Sequence, residues 1–393
     1  MSCDTGPLDP LELASGIVTG SCREAPALPR VRQPPTVRSA LEGVVLPALR
    51  RPPCVVSFSG GRDSSAVLAV ATDAARRHGL PPPIPVTLRF PGQEPAAEDE
   101  WQTLVIRHLG LTAWDRVEVT DELDVIGPYA RQVLRRHGVL WPMNTHFHAP
   151  VFERASGGSV LTGFGGDEVL RPSTWGRTSM LRAGRAIPRV GDLPRATLAC
   201  APRPVRRVIV EQRSAISSEL PWLRPHARRM VERRYSADAA GVAVRFDTML
   251  RRSWWRSCYR RRVCASLRMV ALDSDVAVRH PLQDAQVIVA FAARAGSGGY
   301  WSRTAATRDL FGDLLPAPIV ERRSKASFDA AFWHRYARAF VKNWDGRGID
   351  DDLVDVDALC RLWTRDSLAP GLTWLLLQQA WLAAGKRSAP GES

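Results

Sequence analysis

The chain has 393 residues, of which 24% are charged and 45% hydrophobic, with 54 basic residues against 40 acidic ones. This is ordinary globular composition, which excludes a wholly disordered or fibrous chain. No run approaches the ~18 apolar residues of a membrane span, and Asp4, Asp9 and Glu12 stand where a signal peptide would carry its basic flank and apolar stretch, so a cytoplasmic protein of two or three domains is expected.

Residues 1–35 are rich in Pro, Gly and small side chains and read as a flexible lead-in ending at Gln33-Pro34-Pro35. From Thr36 the spacing Val37, Leu41, Val44, Val45, Ala48 predicts a helix, with a kink or end expected at Pro47. Cys54 to Ser59 is a short apolar run of buried-strand type. A helix is predicted from Ser64 to His78, a strand over Pro85–Phe90, a helix from Glu98 to Leu109, and strands over Val117–Val119 and Ser159–Thr162. Strands alternating with helices predict an α/β fold, a doubly wound parallel sheet covered on both faces.

After Leu170 the pattern changes. Residues 171–270 hold 23 arginines, no lysine and six acids, a net +17, so the rest of the chain sums to −3. Helix is expected there in parts, for instance Leu223 to Tyr235, and the last third reads as mostly helical. Seven cysteines without a CxxC pair argue against a disulfide framework or a zinc ribbon.

Chemistry concentrates in Ser59-Gly60-Gly61-Arg62-Asp63-Ser64-Ser65, between the first strand and its helix. Two glycines let the backbone approach an anion, and Ser64 and Ser65 add donors at a helix N-terminus, where the dipole favours negative charge. Asp63 would repel phosphate unless a metal lies between them, so it reads as a Mg²⁺ ligand. The loop is neither a Walker A sequence nor a GxGxxG fingerprint. A second motif, Gly163-Phe164-Gly165-Gly166-Asp167-Glu168, closes the fourth strand.

SGGxDSS resembles the PP-loop of the N-type ATP pyrophosphatases, which cleave ATP to AMP and pyrophosphate. With the second motif, the chain resembles the synthetase domain of the asparagine synthetase family, including beta-lactam synthetase and the lasso peptide cyclases. Arg279-His280-Pro281-Leu282-Gln283-Asp284 resembles the family's R-x-P-F-L-D segment, and Leu315-Pro316 to Phe328 its LP…R…K…F segment. The resemblance covers roughly residues 36–385. It implies ATP on Ser59, Gly60, Gly61, Asp63, Ser64, Ser65 and Gly165, Mg²⁺ shared by Asp63 and Asp167, and a catalytic lysine at Lys325. It also implies a carboxylate substrate that is adenylated and then attacked by an amine or ammonia. On that reading 36–170 is the PP-loop core, 171–270 a basic segment, and 271–393 a helical part completing the synthetase domain.

Two departures stand out. A glutaminase domain would begin with a cysteine exposed by removal of Met1. Here residue 2 is Ser, and only 58 residues precede Ser59, so glutamine hydrolysis within this chain is not expected. Phe164 stands where the family has an acid or a tyrosine and cannot take a proton, so a general base must come from elsewhere, from Glu168 or from another acid that the motifs do not locate.

The +17 segment offers rival readings: a solvated helical face, a docking surface for an acidic peptide or partner protein, or, least favoured, a nucleic-acid surface on a catalytically degenerate homologue. Arg260, Arg261 and Arg262 are expected on that surface. His146 and His148, lacking a third ligand, read as structural, and Trp254-Trp255 as core or partner contact.

Overall fold

The computed structural model describes residues 6–29, 31–93, 98–324, 326, 328–365 and 368–388. Five parallel strands form one sheet: β1 (Cys54–Ser57), β2 (Ile84–Arg89), β3 (Asp115–Glu118), β4 (Ser159–Thr162) and β5 (Ala277–Arg279), in the order β3-β2-β1-β4-β5. This is the expected doubly wound α/β fold. The strands read as continuous apolar runs because both faces are covered. Along β1, Cys54 and Val56 enter the core on one face while Val55 enters the core on the other. Along β4, Leu161 and Val160 divide the same way.

The chain builds β2 and β3 to one side of β1, then returns to place β4 on the other. At that reversal the connecting loops part and leave a crevice at the carboxyl ends of the strands. Ser57 of β1 is in register with Thr162 of β4, so the two chemistry-bearing loops start side by side. The strand β5 was not expected. It has three residues and supplies too short a pattern to be read from sequence.

The helices used below are α1 (Pro10–Ser15), α2 (Val37–Leu49), α3 (Arg62–Arg77), α4 (Asp99–His108), α5 (Gly166–Val169), α6 (Leu193–Cys200), α7 (Arg203–Arg213), α8 (Pro225–Gly241), α9 (Cys258–Leu272), α10 (Ala285–Ala295) and α11 (Arg303–Phe311). α2 runs through Pro47 instead of ending there. Val45, Ala48 and Leu49 are buried around the proline, and that tertiary burial outweighs a lost helical hydrogen bond.

Two expectations fail together. The stretch read as a loose lead-in is packed: α1 opens on a capping box between Asp9 and Glu12, and Leu11, Ala14, Val18, Cys22 and Ala25 are buried. The basic segment holds it there. Trp222 donates its indole N–H to the Ala14 carbonyl at 2.9 Å, and Trp255 to Pro26 at 2.8 Å. Arg262 donates to the Gly6 carbonyl at 2.8 Å and meets Glu12 at 3.3 Å. Arg260 is buried, its guanidinium 4.0 Å from the centre of the Trp255 ring. Arg260 and Arg262 are therefore internal fastenings, not the open surface expected of them, and Arg261 is half-buried. Trp255 is core, as expected.

Among the described residues no helix is long and apolar enough to cross a membrane.

Candidate active site

The first loop leaves β1 through the buried Phe58 and turns at Gly60, whose φ of +80° is left-handed. A Cβ on Gly60 would lie 2.8 Å from the Gln102 side chain, so glycine is needed for both conformation and space. The loop is tied by its own serines. Ser59 Oγ accepts from the Gly61 amide at 3.3 Å, Ser64 Oγ donates to the Gly61 carbonyl at 3.1 Å, and the two hydroxyls are 3.2 Å apart. Gly61 then caps α3 without a side chain, which leaves the first amides of a sixteen-residue helix pointing at the crevice.

The second loop is fitted to the first. A Cβ on Gly163 would stand 2.7 Å from the Ser64 nitrogen, and one on Gly166 would overlap the Asp63 carboxyl. The glycines of the second motif are therefore spacers that let the two loops touch. Gly165, at φ +90°, faces Gln283 of the Arg279–Asp284 segment so closely that a Cβ would clash with the amide.

This contact brings Asp63 and Asp167 together. Arg303, at the start of α11, donates to Asp63 Oδ2 and to Asp167 Oδ1, each at 2.5 Å. Burial pushes the Asp63 carboxyl up, and the Arg303 charge and hydrogen bond pull against that shift. Asp63 Oδ1 is buried without a hydrogen-bond partner. A buried anionic oxygen with no donor, beside a second carboxylate, fits a cation. Among the described residues no third Asp, Glu, His or Cys joins them. Mg²⁺ typically takes one or two carboxylates and completes its shell with water and phosphate oxygens. Asp63 and Asp167 therefore suit a nucleotide-borne Mg²⁺ and not an all-protein cage.

The C-terminal part closes the loop from above. Arg322 forms a two-pronged ion pair with Glu98, both side chains almost fully buried. It also donates to the Gly60 carbonyl at 3.1 Å and lies over Trp101 at 4.8 Å. Lys325, the expected catalytic lysine, lies outside the described residues.

A cavity of about 770 Å³ opens here. Ser59, Asp63, Asp167 and Arg303 line its polar end, and Phe147, Phe328 and Phe332 an aromatic wall. Phe147 stands 6.0 Å from Phe328 and 5.8 Å from Phe332, centre to centre. Phe164 also lines the cavity and packs edge-on against His280, whose Nδ1 is 2.7 Å from the Thr162 hydroxyl. His146 donates to the Leu123 carbonyl at 3.0 Å and is buried, as a structural histidine should be. His148 lines the cavity, and burial pushes its imidazole down to about 4, so it is neutral near pH 7.

Of the residues expected to act on ATP or metal, Ser59, Gly61, Asp63, Ser64 and Asp167 line this cavity. Gly60, Ser65 and Gly165 shape the loops from behind. Glu168 is not brought to the cavity wall: its Oε1 meets the Tyr259 hydroxyl of α9 at 3.5 Å, and that carboxylate together with burial pushes the phenol up. The sequence reading missed Arg303, Arg322, Glu98 and the phenylalanine wall. An arginine among 51 carries no local signal.

The sequence profile of the asparagine synthase family matches residues 36–383. The chain belongs to the asparagine synthase family. Comparison with curated proteins finds no significant match. As a member of the asparagine synthase family it is, in type, an ATP-dependent amide-forming ligase. The paired loops on β1 and β4, which carry Asp63 and Asp167, fall within the matched span.

Proposed function

We propose that the protein adenylates a carboxylate with ATP, releases pyrophosphate, and passes the acyl group to an amine or ammonia, giving an amide and AMP. The observation that carries this reading is the bridging of Asp63 and Asp167 by Arg303 beside the open N-terminus of α3. It concentrates helix-start amides, two metal-type carboxylates and a guanidinium within one crevice.

The substrate carboxylate attacks the α-phosphorus, forming a carboxyl–phosphorus bond as the bond to the β-phosphate oxygen breaks. Amides at the start of α3 would receive the phosphates, and the Ser59 and Ser64 hydroxyls hold the loop that presents these amides. Asp63 and Asp167 would hold Mg²⁺, which when bound would offset the charge of the leaving pyrophosphate. Arg303 exchanges its carboxylate partners for phosphate oxygens as the nucleotide enters, and Arg62, 3.0 Å from the Thr304 hydroxyl, holds a second guanidinium on the same side. The amine nitrogen then bonds to the acyl carbon, the carbon–oxygen bond to AMP breaks, and the nitrogen loses a proton to solvent water. Phe164 cannot accept it. Lys325 remains our assignment for offsetting charge on pyrophosphate or on the tetrahedral oxyanion. Holding acid and amine in one cavity supplies the proximity.

The aromatic wall of Phe147, Phe328 and Phe332 favours a substrate with apolar surface over a small polar amino acid, and within the same chemistry we place macrolactam closure of a peptide as the specific candidate. The test is exchange of radiolabelled pyrophosphate into ATP with panels of small acids and peptide acids. Acid-dependent exchange is expected; ADP formation, or no exchange with any acid, overturns adenylation.

A further inference from the structure

Residues 187–208 present the barest apolar surface of the molecule. Among the described residues, ten large hydrophobic side chains are exposed, and five of them lie in this stretch: Ile187, Val190, Leu193, Val205 and Val208. Val190 is 92% exposed and Ile187 84%. α7 has no buried residue, and α6 has only Ala199. The two helices follow each other through Ala201 and Pro202, and Arg206 fastens the joint by donating to the Ala201 carbonyl at 3.1 Å. Aliphatic residues scattered singly are ordinary on a solvated face, whereas several close together in the chain are not. Here Ile187, Val190 and Leu193 follow one another into the start of α6, and Val205 and Val208 stand three residues apart on α7.

Charge surrounds them. Residues 182–213 carry eight arginines against two acids, a net +6. Both acids are already engaged: Asp192 is held by Arg177, at 2.8 Å through the terminal nitrogen, and Glu211 lies 3.9 Å from Arg233. Arg189, Arg195, Arg203, Arg207 and Arg213 are exposed.

The stretch is joined to the mouth of the cavity on two sides. Arg171 and Pro172, which lead into it, line the cavity. Arg185 donates to the Gly299 carbonyl at 2.8 Å, two residues before Trp301, which lines the cavity and is itself 54% exposed.

We propose that residues 187–213 are the docking surface for an acidic peptide segment carrying aliphatic side chains, seated beside the entrance to the cavity. Charge complementarity selects an acidic partner, and the five aliphatic residues select apolar anchors on it. Single-stranded nucleic acid fits less well, because base stacking uses aromatic platforms and all five exposed apolar residues are aliphatic.

Fluorescence anisotropy tests this with a labelled peptide of glutamate and leucine, leucine recurring at every third or fourth position. Controls are a scrambled peptide of the same composition, labelled oligothymidylate, and phosphatidylglycerol vesicles. The patterned peptide should bind the full chain about tenfold or more tightly than the scrambled one. Val205→Thr with Val208→Thr should remove most of that preference, Arg203→Glu with Arg207→Glu should weaken binding about tenfold, and affinity should fall as salt rises. Pyrophosphate exchange with a small acid should be unchanged in these variants. Binding is read without turnover, so it stands apart from the ligase chemistry. Absence of binding, equal binding of the scrambled peptide, preference for oligothymidylate or vesicles, or variants that bind like the parent each overturn the proposal.

Discussion

α3 and α7 are both helices with aliphatic residues along them, and the fold treats them oppositely. α3 buries eleven of its sixteen residues between α2 and the sheet, while α7 buries none of its eleven. The difference lies in what each packs on. α3 follows β1 directly and is pressed onto a sheet that needs covering. α7 lies in an excursion of the chain, packed chiefly on α8, where Glu211 lies 3.9 Å from Arg233, with Arg206 reaching to 5.8 Å from the centre of the Trp175 ring. Apolar side chains in α3 are therefore accounted for by stability. Val205 and Val208 in α7 are exposed, and stability does not account for them in the same way.

The comparison is tested most severely at the foot of α3. Asp63→Asn and Asp167→Asn should each lower pyrophosphate exchange by roughly a thousandfold, with thermal midpoints unchanged or slightly raised. Asparagine still accepts a hydrogen bond from Arg303, and one buried negative charge is gone. A variant with most of its activity and an unchanged Mg²⁺ requirement would break the assignment of the two carboxylates. Next, the helices themselves can be set against each other by chemical denaturation. Leu68→Ala in α3 should cost about 2–5 kcal/mol, whereas Val208→Ala in α7 should stay within about 0.5 kcal/mol. Equal losses would show that α7 is part of the core after all.

A smaller effect separates the regions by pH. Burial pushes His146 down to about 4 from an ordinary 6.5. The unfolded chain therefore takes up a proton near pH 6.5 that the folded chain refuses until about 4. The stability this neutral imidazole contributes is whole above 6.5 and is lost as the pH falls through the window to 4, at ~1.4 kcal/mol per unit. His146→Gln keeps a donor for the Leu123 carbonyl and cannot titrate, so its denaturation free energy should decline less steeply over that window. Parallel pH slopes for parent and variant would remove His146 as the cause.

Much of the sheet half was legible because its signals are local. β4 has the bounds read from its apolar run, and the SGGxDSS loop stands between strand and helix as its glycines and serines require. The capping box at Asp9 and Glu12 is an equally local signal, but the prolines around it make the segment look loose. The arginines were not legible. Arg303 sits 240 residues from Asp63 in sequence, and nothing in Arg303-Thr304-Ala305 distinguishes it from arginines that meet only water. Arg260 and Arg262 show the same limit in reverse, since a run of three arginines reads as surface until Trp255, Glu12 and the Gly6 carbonyl are found beside it.

Strand patterning, glycine turns and helix starts are short-range physics, so the residue order alone specifies the parallel α/β sheet, the glycine turn after β1 and the carboxylate in each of the two loops. That Asp63 and Asp167 meet, that Arg303 bridges them, that Arg322 and Glu98 clamp the loop, and that the basic segment divides into buried fastenings and an open aliphatic face all depend on the folded arrangement. Those outcomes depend on which distant groups share a low-dielectric crevice and which stay in water, and a charged side chain carries no mark of that choice in its neighbours along the chain.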